Sequence, residues 1–169
     1  TVGNNSAGMT SFGGGALLLN TKSIIIGSDS HGMYLQNGTD ITNDTGGIIT
    51  SAGNNSVGIY ADAITGTITN KGIIRLTGDK EIGIYATGAS NKIINNDGLI
   101  EIGDSLDINV PNIGIYSETA GDTFTNNGTV TSGKNSIGMY NHGDTVIQNG
   151  TLNVGDTGVG AYITDGNIT

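Results

Sequence analysis

Short apolar runs alternate with clusters of glycine, asparagine and aspartate along the whole chain. In one typical run, Ile74 and Leu76 alternate with Ile73 and Arg75. Alternation with a period of two is the pattern of a β-strand that buries one face. Glycine, asparagine and aspartate tolerate the left-handed backbone conformation that sharp turns require. The pattern therefore predicts many short strands joined by tight turns.

A four-residue phrase recurs at intervals of 22 to 31 residues, and its clearest copy is Ile82-Gly83-Ile84-Tyr85. The glycines of the phrase are Gly8, Gly32, Gly58, Gly83, Gly114, Gly138 and Gly160. All six tyrosines of the chain lie two residues after one of these glycines. Tyrosine thus occupies one fixed position of a structural repeat.

Two further strand-like phrases follow within each repeat, as in the segments 68–72 and 98–102. Three short strands and three turns describe one coil of a solenoid. We therefore predict an all-β fold, a right-handed parallel β-helix of about seven coils of about 25 residues, with three strands per coil. Residues 1–169 are expected to form a single segment of a longer domain. The alternative is an antiparallel sandwich with regularly spaced strands.

Stacking of coils predicts ladders of like residues about one strand spacing apart. We expect isoleucine and valine to stack inside, and the tyrosines to stack along the rod. Alternation places Val57 and Ile59 inward and Tyr60 outward. Arg75 and Glu101 are expected to form an ion pair at the surface. The predicted asparagine ladder at a turn comprises Asn43, Asn70, Asn126 and Asn149.

Composition and charge exclude several classes of protein. The chain has 30 glycines but one proline, and it has no cysteine, which excludes collagen, a disulfide framework and thiolate metal sites. Its net charge of −9 opposes binding to nucleic acid and to anionic membranes. No apolar run approaches the roughly 20 residues of a membrane span. We expect no nucleic acid partner, and no membrane insertion by this segment.

The recurrent phrases, such as Ile82-Gly83-Ile84-Tyr85-Ala86 followed by strands with the Asn-x-Gly turn of Asn70, resemble the passenger domains of type V autotransporter adhesins. More narrowly, they are similar to the very large fusobacterial autotransporters. The resemblance covers nearly the whole chain. It implies a rigid stalk displayed from the bacterial outer membrane, with attachment to a receptor on host cells or other bacteria. The raw ends of an excised solenoid favour end-to-end or lateral self-association.

A polysaccharide-active β-helix enzyme, a lyase or hydrolase, is the alternative function. Such chemistry needs carboxylates clustered on one face, or a bound metal with a basic residue nearby. Here the acidic residues are scattered among the coils, and Arg75 is the single arginine. Neither nucleophile nor phosphate-binding motifs occur. We therefore expect no catalytic residues, no cofactor and no metal site.

Two features remain as candidate ligand-binding residues. The repeat is longest near residues 103–112, where the chain is expected to leave the coil as a loop. This segment contains three residues with side-chain oxygens, Asp104, Asp107 and Asn109. They are candidates for recognition of a partner or for binding of calcium. The second feature is the aromatic strip, represented by Tyr60, Tyr85 and Tyr116. It is expected either to stiffen the rod or to offer a surface to a partner.

Histidine does not form a metal site in this pattern. His31 and His142 lie several coils apart and cannot share one ion. His31 replaces the isoleucine or valine that precedes the repeat glycine. We expect it to cap a coil edge or to point into the end of the core.

Overall fold

In a computed structural model that describes residues 1–169, the chain is a right-handed parallel β-helix with 20 strands in three parallel sheets. The first sheet comprises β1 (Ala7–Phe12), β4 (His31–Gln36), β7 (Val57–Asp62), β10 (Ile82–Thr87), β13 (Ile113–Ser117), β16 (Ile137–His142) and β19 (Val159–Thr164). The second comprises β2 (Leu17–Asn20), β5 (Asp40–Asn43), β8 (Thr67–Asn70), β11 (Ile93–Asn96), β14 (Thr123–Asn126), β17 (Thr145–Gln148) and β20 (Asn167–Ile168). The third comprises β3 (Ser23–Ile26), β6 (Ile48–Ser51), β9 (Ile73–Leu76), β12 (Leu99–Ile102), β15 (Thr129–Ser132) and β18 (Thr151–Val154).

The predicted fold class is confirmed, with six complete coils and two strands of a seventh. Each strand pairs in parallel with its counterpart in the next coil, so that Tyr60 lies opposite Tyr85 and Arg75 opposite Glu101. The antiparallel sandwich is excluded, because every strand pair is parallel. The chain contains no helix, and hence none long and apolar enough to cross a membrane.

The core is a set of apolar columns that run along the axis, one or more from each sheet. The column of the second sheet is Ile41, Ile68, Ile94, Phe124 and Val146, and each of these side chains is at most 1% exposed. The third sheet contributes Ile49, Ile74, Ile100 and Val130. The first sheet contributes Met33, Ile59, Ile84, Ile115 and Met139. The predicted internal ladder of aliphatic residues is therefore present, with methionine and phenylalanine at some positions.

The repeat glycine interrupts the inward–outward alternation in the strands of the first sheet, as Gly58 illustrates. A Cβ atom on Gly58 would lie 2.6 Å from Ile74 Cγ2 in the core and 2.6 Å from the carbonyl oxygen of Gly83 in the next coil. Glycine thus faces inward, and Ile59, the next residue, also faces inward. Alternation is therefore interrupted here. Val57, which was predicted to point inward, is buried at 9% exposed, although it is not a member of the main core cluster. Only glycine lets the coils approach this closely.

A ladder of buried amides runs along the end of the second sheet. Each side-chain Nδ2 donates to the side-chain oxygen of the next coil at 2.8–3.0 Å. The members are Asn20, Asn43, Asn70, Asn96, Asn126 and Gln148. Gln148 therefore takes the place predicted for Asn149. Asn149 instead donates to Asn127 Oδ1 at 3.0 Å in an outer, exposed row.

The predicted ion pair between Arg75 and Glu101 is confirmed. Arg75 Nε lies 2.7 Å from Glu101 Oε2, and both side chains are about two-fifths exposed. Such a pair contributes at most about 1 kcal/mol, because solvent screens it. The pair is consistent with the register of β9 against β12, in which Arg75 lies opposite Glu101.

Replacement of Asn70 by alanine is expected to lower the free energy of unfolding by about 2–3 kcal/mol, because Asn96 Oδ1 would lose its donor in a buried setting. Urea denaturation of the two proteins measures the difference. Asn127→Ala, which removes an exposed amide of the outer row, is the matched control and should change stability by less than about 0.5 kcal/mol. Equal effects of the two substitutions would contradict a structural role for the buried ladder.

Candidate functional site

The tyrosines form a continuous aromatic ladder on the outer face of the first sheet. Successive ring centroids lie 4.9–5.2 Å apart, and four of the five consecutive tyrosine pairs are stacked within 25° of parallel. Tyr116 and Tyr140 instead meet edge to face at 80°. Tyr60, Tyr85 and Tyr116 are half-buried. The rings therefore pack against one another along the rod and keep part of their surface exposed to solvent.

A column of polar residues flanks the tyrosine ladder two positions further along each strand. Gln36 Nε2 donates to Asp62 Oδ2 at 2.6 Å, and Thr87 Oγ1 donates to Glu118 Oε2 at 2.9 Å. Tyr116 Oη donates to Glu118 Oε1 at 3.4 Å. Burial and the nearby Glu118 carboxylate raise the pKa of Tyr116. The Tyr116 phenol therefore stays protonated at neutral pH and acts as a hydrogen-bond donor.

His31 belongs to this outer face and not to the core or to a coil edge. Its ring lies 5.6 Å from the ring of Tyr34 and 5.2 Å from the ring of Tyr60. It occupies the column of Val57, which places it beside the ladder. Burial lowers the pKa of His31 below its ordinary value. The imidazole is thus a neutral packing group.

Residues 103–112 form a loop between β12 and β13, and two buried residues hold its base. Ser105 Oγ donates at 2.9 Å to the carbonyl oxygen of Val110, which closes the loop. Asn112 Nδ2 donates to the carbonyl oxygen of Gly103 at 3.1 Å. The tip exposes three aliphatic side chains, Leu106 at 85%, Ile108 at 59% and Val110 at 41%. A fixed backbone therefore presents an apolar tip to solvent.

The three oxygen-bearing residues of the loop do not converge. Asp107 Oδ1 accepts hydrogen bonds from the backbone and side-chain nitrogens of Asn109, at 2.9 and 3.0 Å. Asp104 Oδ1 accepts from the backbone nitrogen of Lys134 in the next coil at 2.7 Å. These carboxylates shape turns. No group of three or more histidine, aspartate or glutamate side chains converges anywhere in the chain as a metal site.

A shallow cavity of about 240 Å³ lies at the base of the loop. Asn54, Asp79, Asp104 and Leu106 are among the residues that line it. Asp79 Oδ1 accepts the backbone hydrogen bond of Leu106 at 2.9 Å, so its carboxylate is engaged in holding the loop. The cavity is a notch between turns of successive coils.

Glu81 occupies an interior position where other coils place a hydrogen-bond donor. Ser56 Oγ donates to the carbonyl oxygen of Gly27 at 2.9 Å, and Asn112 Nδ2 to that of Gly78 at 2.9 Å. The Glu81 side chain is fully buried, and neither of its carboxylate oxygens has a partner. Burial raises the pKa of Glu81 to about 8, with a further contribution from Asp79. The carboxyl group is therefore protonated at neutral pH.

A second interior column carries charge at the start of the second sheet. Lys92 and Asp122 are fully buried, and Lys92 Nζ lies 3.0 Å from Asp122 Oδ2. Asp144 follows in the next coil and is 2% exposed. Sequence reasoning missed these residues, although each stands two positions before a core residue (Ile94, Phe124 or Val146). That spacing in a strand places both side chains on the same face.

The parallel stack of three-stranded coils, with apolar columns inside and a ladder of tyrosines outside, defines the chain as a β-solenoid protein of the parallel β-helix class. A family model described as the BigA third pectate lyase-like domain matches residues 21–169. The chain belongs to this family. No curated protein and no solved structure matches it.

Replacement of Glu81 by glutamine is expected to stabilise the protein at and above pH 8 and to flatten its pH dependence. Between the ordinary pKa of 4.5 and the folded value of about 8, the folded state holds a proton that the unfolded state has released. The contribution of Glu81 to stability therefore declines as pH rises through this window. Thermal unfolding at pH 5 and pH 8 measures it. The variant should melt roughly 5 °C above the parent protein at pH 8.

The control for Glu81 is Glu101→Gln, which removes an exposed carboxylate from the partly exposed surface pair. This variant should keep the pH dependence of the parent protein. A Glu81→Gln variant whose melting temperature falls with pH as steeply as that of the parent would contradict protonation of Glu81 in the folded state.

Proposed function

We propose that the chain is a section of the passenger of a surface-displayed bacterial autotransporter, of the type found in the very large fusobacterial members. In this role it is a rigid, non-catalytic stalk that carries a recognition loop. Its partner is a receptor, protein or glycan, on host cells or other bacteria. The observation that carries the proposal is the apolar tip of the loop 103–112 on a fixed base.

The rod itself supports the role of a stalk. Three continuous parallel sheets run along the axis, and backbone hydrogen bonds link each coil to the next. The first sheet alone has seven strands, which at about 4.8 Å per strand gives a rod roughly 29 Å long. Stability in such an array is the sum of coil and neighbour terms, so a longer rod extends the same structure without a new core.

The loop supports a role in recognition. Leu106, Ile108 and Val110 together expose an apolar patch, whereas the surrounding turns are polar. Exposed apolar groups on a loop with a fixed backbone suit a protein or glycan surface, because little entropy is lost on binding. Asp104 and Asp107 at the loop add negative charge, which favours a receptor with a basic rim.

The alternative is a polysaccharide-active enzyme, and the words pectate lyase-like in the family description are its main support. Against it, Asp79 and Asp104 at the cavity are engaged in backbone hydrogen bonds of the loop. Arg75, the one arginine, pairs with Glu101. These carboxylates and this arginine are therefore engaged in structural contacts and do not support catalysis at the cavity.

Serine substitution of Leu106, Ile108 and Val110 together is expected to weaken saturable binding of the purified chain to intact epithelial cells or partner bacteria by roughly tenfold or more. Flow cytometry with labelled protein measures the binding. Leu19→Ser with Ile93→Ser removes exposed aliphatic groups from the second sheet and is the matched control. This control should bind like the parent chain.

Two outcomes would count against the proposal. One is binding of the loop variant at the level of the parent chain, which would show that the loop is not the recognition site and would make the tyrosine ladder the next candidate surface. The other is lyase activity: if the purified chain releases unsaturated uronate products from polygalacturonate, measured by their ultraviolet absorbance, its function is that of an enzyme and not of a stalk.

A further inference from the structure

Lys92, Asp122 and Asp144 form an inward column that directly precedes the core column of Ile94, Phe124 and Val146. The strands are in register here, since Ile93 lies opposite Thr123 and Thr123 opposite Thr145. The same column holds the uncharged residues Thr39, Gly66 and Gly166 in other coils. Three ionisable groups are thus concentrated in three consecutive coils of a dry interior.

The Lys92 amine and the Asp122 carboxyl group are held in contact by several hydrogen bonds. Lys92 Nζ lies 3.0 Å from Asp122 Oδ2, and neither side chain is exposed. Ser117 Oγ donates to the same Oδ2 atom at 2.7 Å, and the backbone nitrogen of Lys92 donates to Oδ1 at 2.8 Å. Lys92 Nζ also donates to the carbonyl oxygen of Ala89. The Lys92 amine and the Asp122 carboxyl group are therefore both fixed in position.

Asp144 adds a second carboxyl group to the same buried cluster. Its Oδ1 accepts the backbone hydrogen bond of Asp122 at 2.9 Å, while its Oδ2 is buried and has no partner. Burial raises the pKa of Asp144 to about 6, and repulsion from Asp122 contributes to the rise. The column thus holds one amine and two carboxyl groups, and a proton on Asp144 would relieve the excess of negative charge.

We propose that Lys92 and Asp122 condense to form an intramolecular isopeptide bond, with Asp144 as the acid–base group of the reaction. The bond would join the start of β11 to the start of β14, and so link two successive coils covalently along the axis.

The reaction balances without any co-reactant. Proton transfer within the pair converts the ammonium and carboxylate to an amine and a carboxylic acid. Lys92 Nζ then attacks Asp122 Cγ, and an N–C bond forms. Asp144 supplies a proton to the departing oxygen and takes one from the nitrogen. The Cγ–Oδ2 bond breaks, one water molecule leaves, and an amide remains.

The buried setting favours this condensation in two ways. An ion pair in a low-dielectric interior pays a large desolvation penalty, and a neutral amide removes both charges. Fixed proximity makes the step unimolecular, which raises the effective concentration of the amine at the carboxyl carbon. The residues of the core column exclude the water that would favour hydrolysis.

Intact-mass spectrometry of the purified protein tests the proposal. The folded parent chain should be lighter than the mass of its sequence by one water molecule, and Lys92→Met should show its full sequence mass. Lys71→Met, at an exposed lysine, is the matched control and should keep the water deficit. Asp144→Asn should slow bond formation by roughly 100-fold or more.

A peptide map gives a second measurement that does not depend on the folding of any variant. Cleavage of the denatured parent chain after its glutamates, at positions 81, 101 and 118, separates segment 82–101 from segment 119–169. The proposal requires these two segments to remain joined through residues 92 and 122.

Two results would overturn the inference. One is a folded parent chain with its full sequence mass and separable segments. The other is a water deficit that persists in Lys92→Met, since a cyclic imide at Asp97-Gly98 or Asp165-Gly166 also loses water.

Discussion

In-register stacking is the constraint on which the rest of the molecule depends. Each strand residue lies about 4.8 Å from its counterpart in the next coil, so each of these positions must accept a residue of the same type as its neighbour. Isoleucine, asparagine and tyrosine meet this demand through packing, amide hydrogen bonds and ring stacking, as Ile68, Asn70 and Tyr60 illustrate. Glycine meets it where two coils approach most closely, since Gly58 lies against the carbonyl group of Gly83.

Charge is the one property that cannot be stacked on itself in a dry interior. Two neighbouring carboxylates or two ammonium groups would repel each other with no solvent to screen them. Two positions follow this rule: Lys92 has Asp122 as its neighbour, and Glu81 lies between the uncharged Ser56 and Asn112. Asp144 is the exception, since it follows Asp122 in the same buried column, and burial together with repulsion from Asp122 raises its pKa to about 6. On the surface the same spacing is harmless, and opposite charges such as Arg75 and Glu101 form a solvent-screened pair.

The repeat in the sequence was sufficient to predict the three sheets, the tyrosine ladder and the pairing of Arg75 with Glu101, because each follows from the phase of the repeat alone. The inward position of both Gly58 and Ile59 was not predictable in this way, since strict alternation places consecutive residues on opposite faces. Asn149 was predicted in place of Gln148 because the two residues are adjacent in the sequence and both carry a side-chain amide. Lys92 and Glu81 were missed because charged residues are ordinarily expected outside the core.

The buried amide ladder also has a direction. Every donor from Asn20 to Asn126 points toward the higher-numbered coil, so five side-chain dipoles align head to tail along the axis. A single amide cannot rotate by half a turn without leaving two like groups face to face, so the orientation of one member sets that of all. Polarisation along such a chain strengthens each bond. The rod is therefore an electrically polar filament whose two ends differ chemically, and a coil added at either end must adopt the orientation already set by those before it.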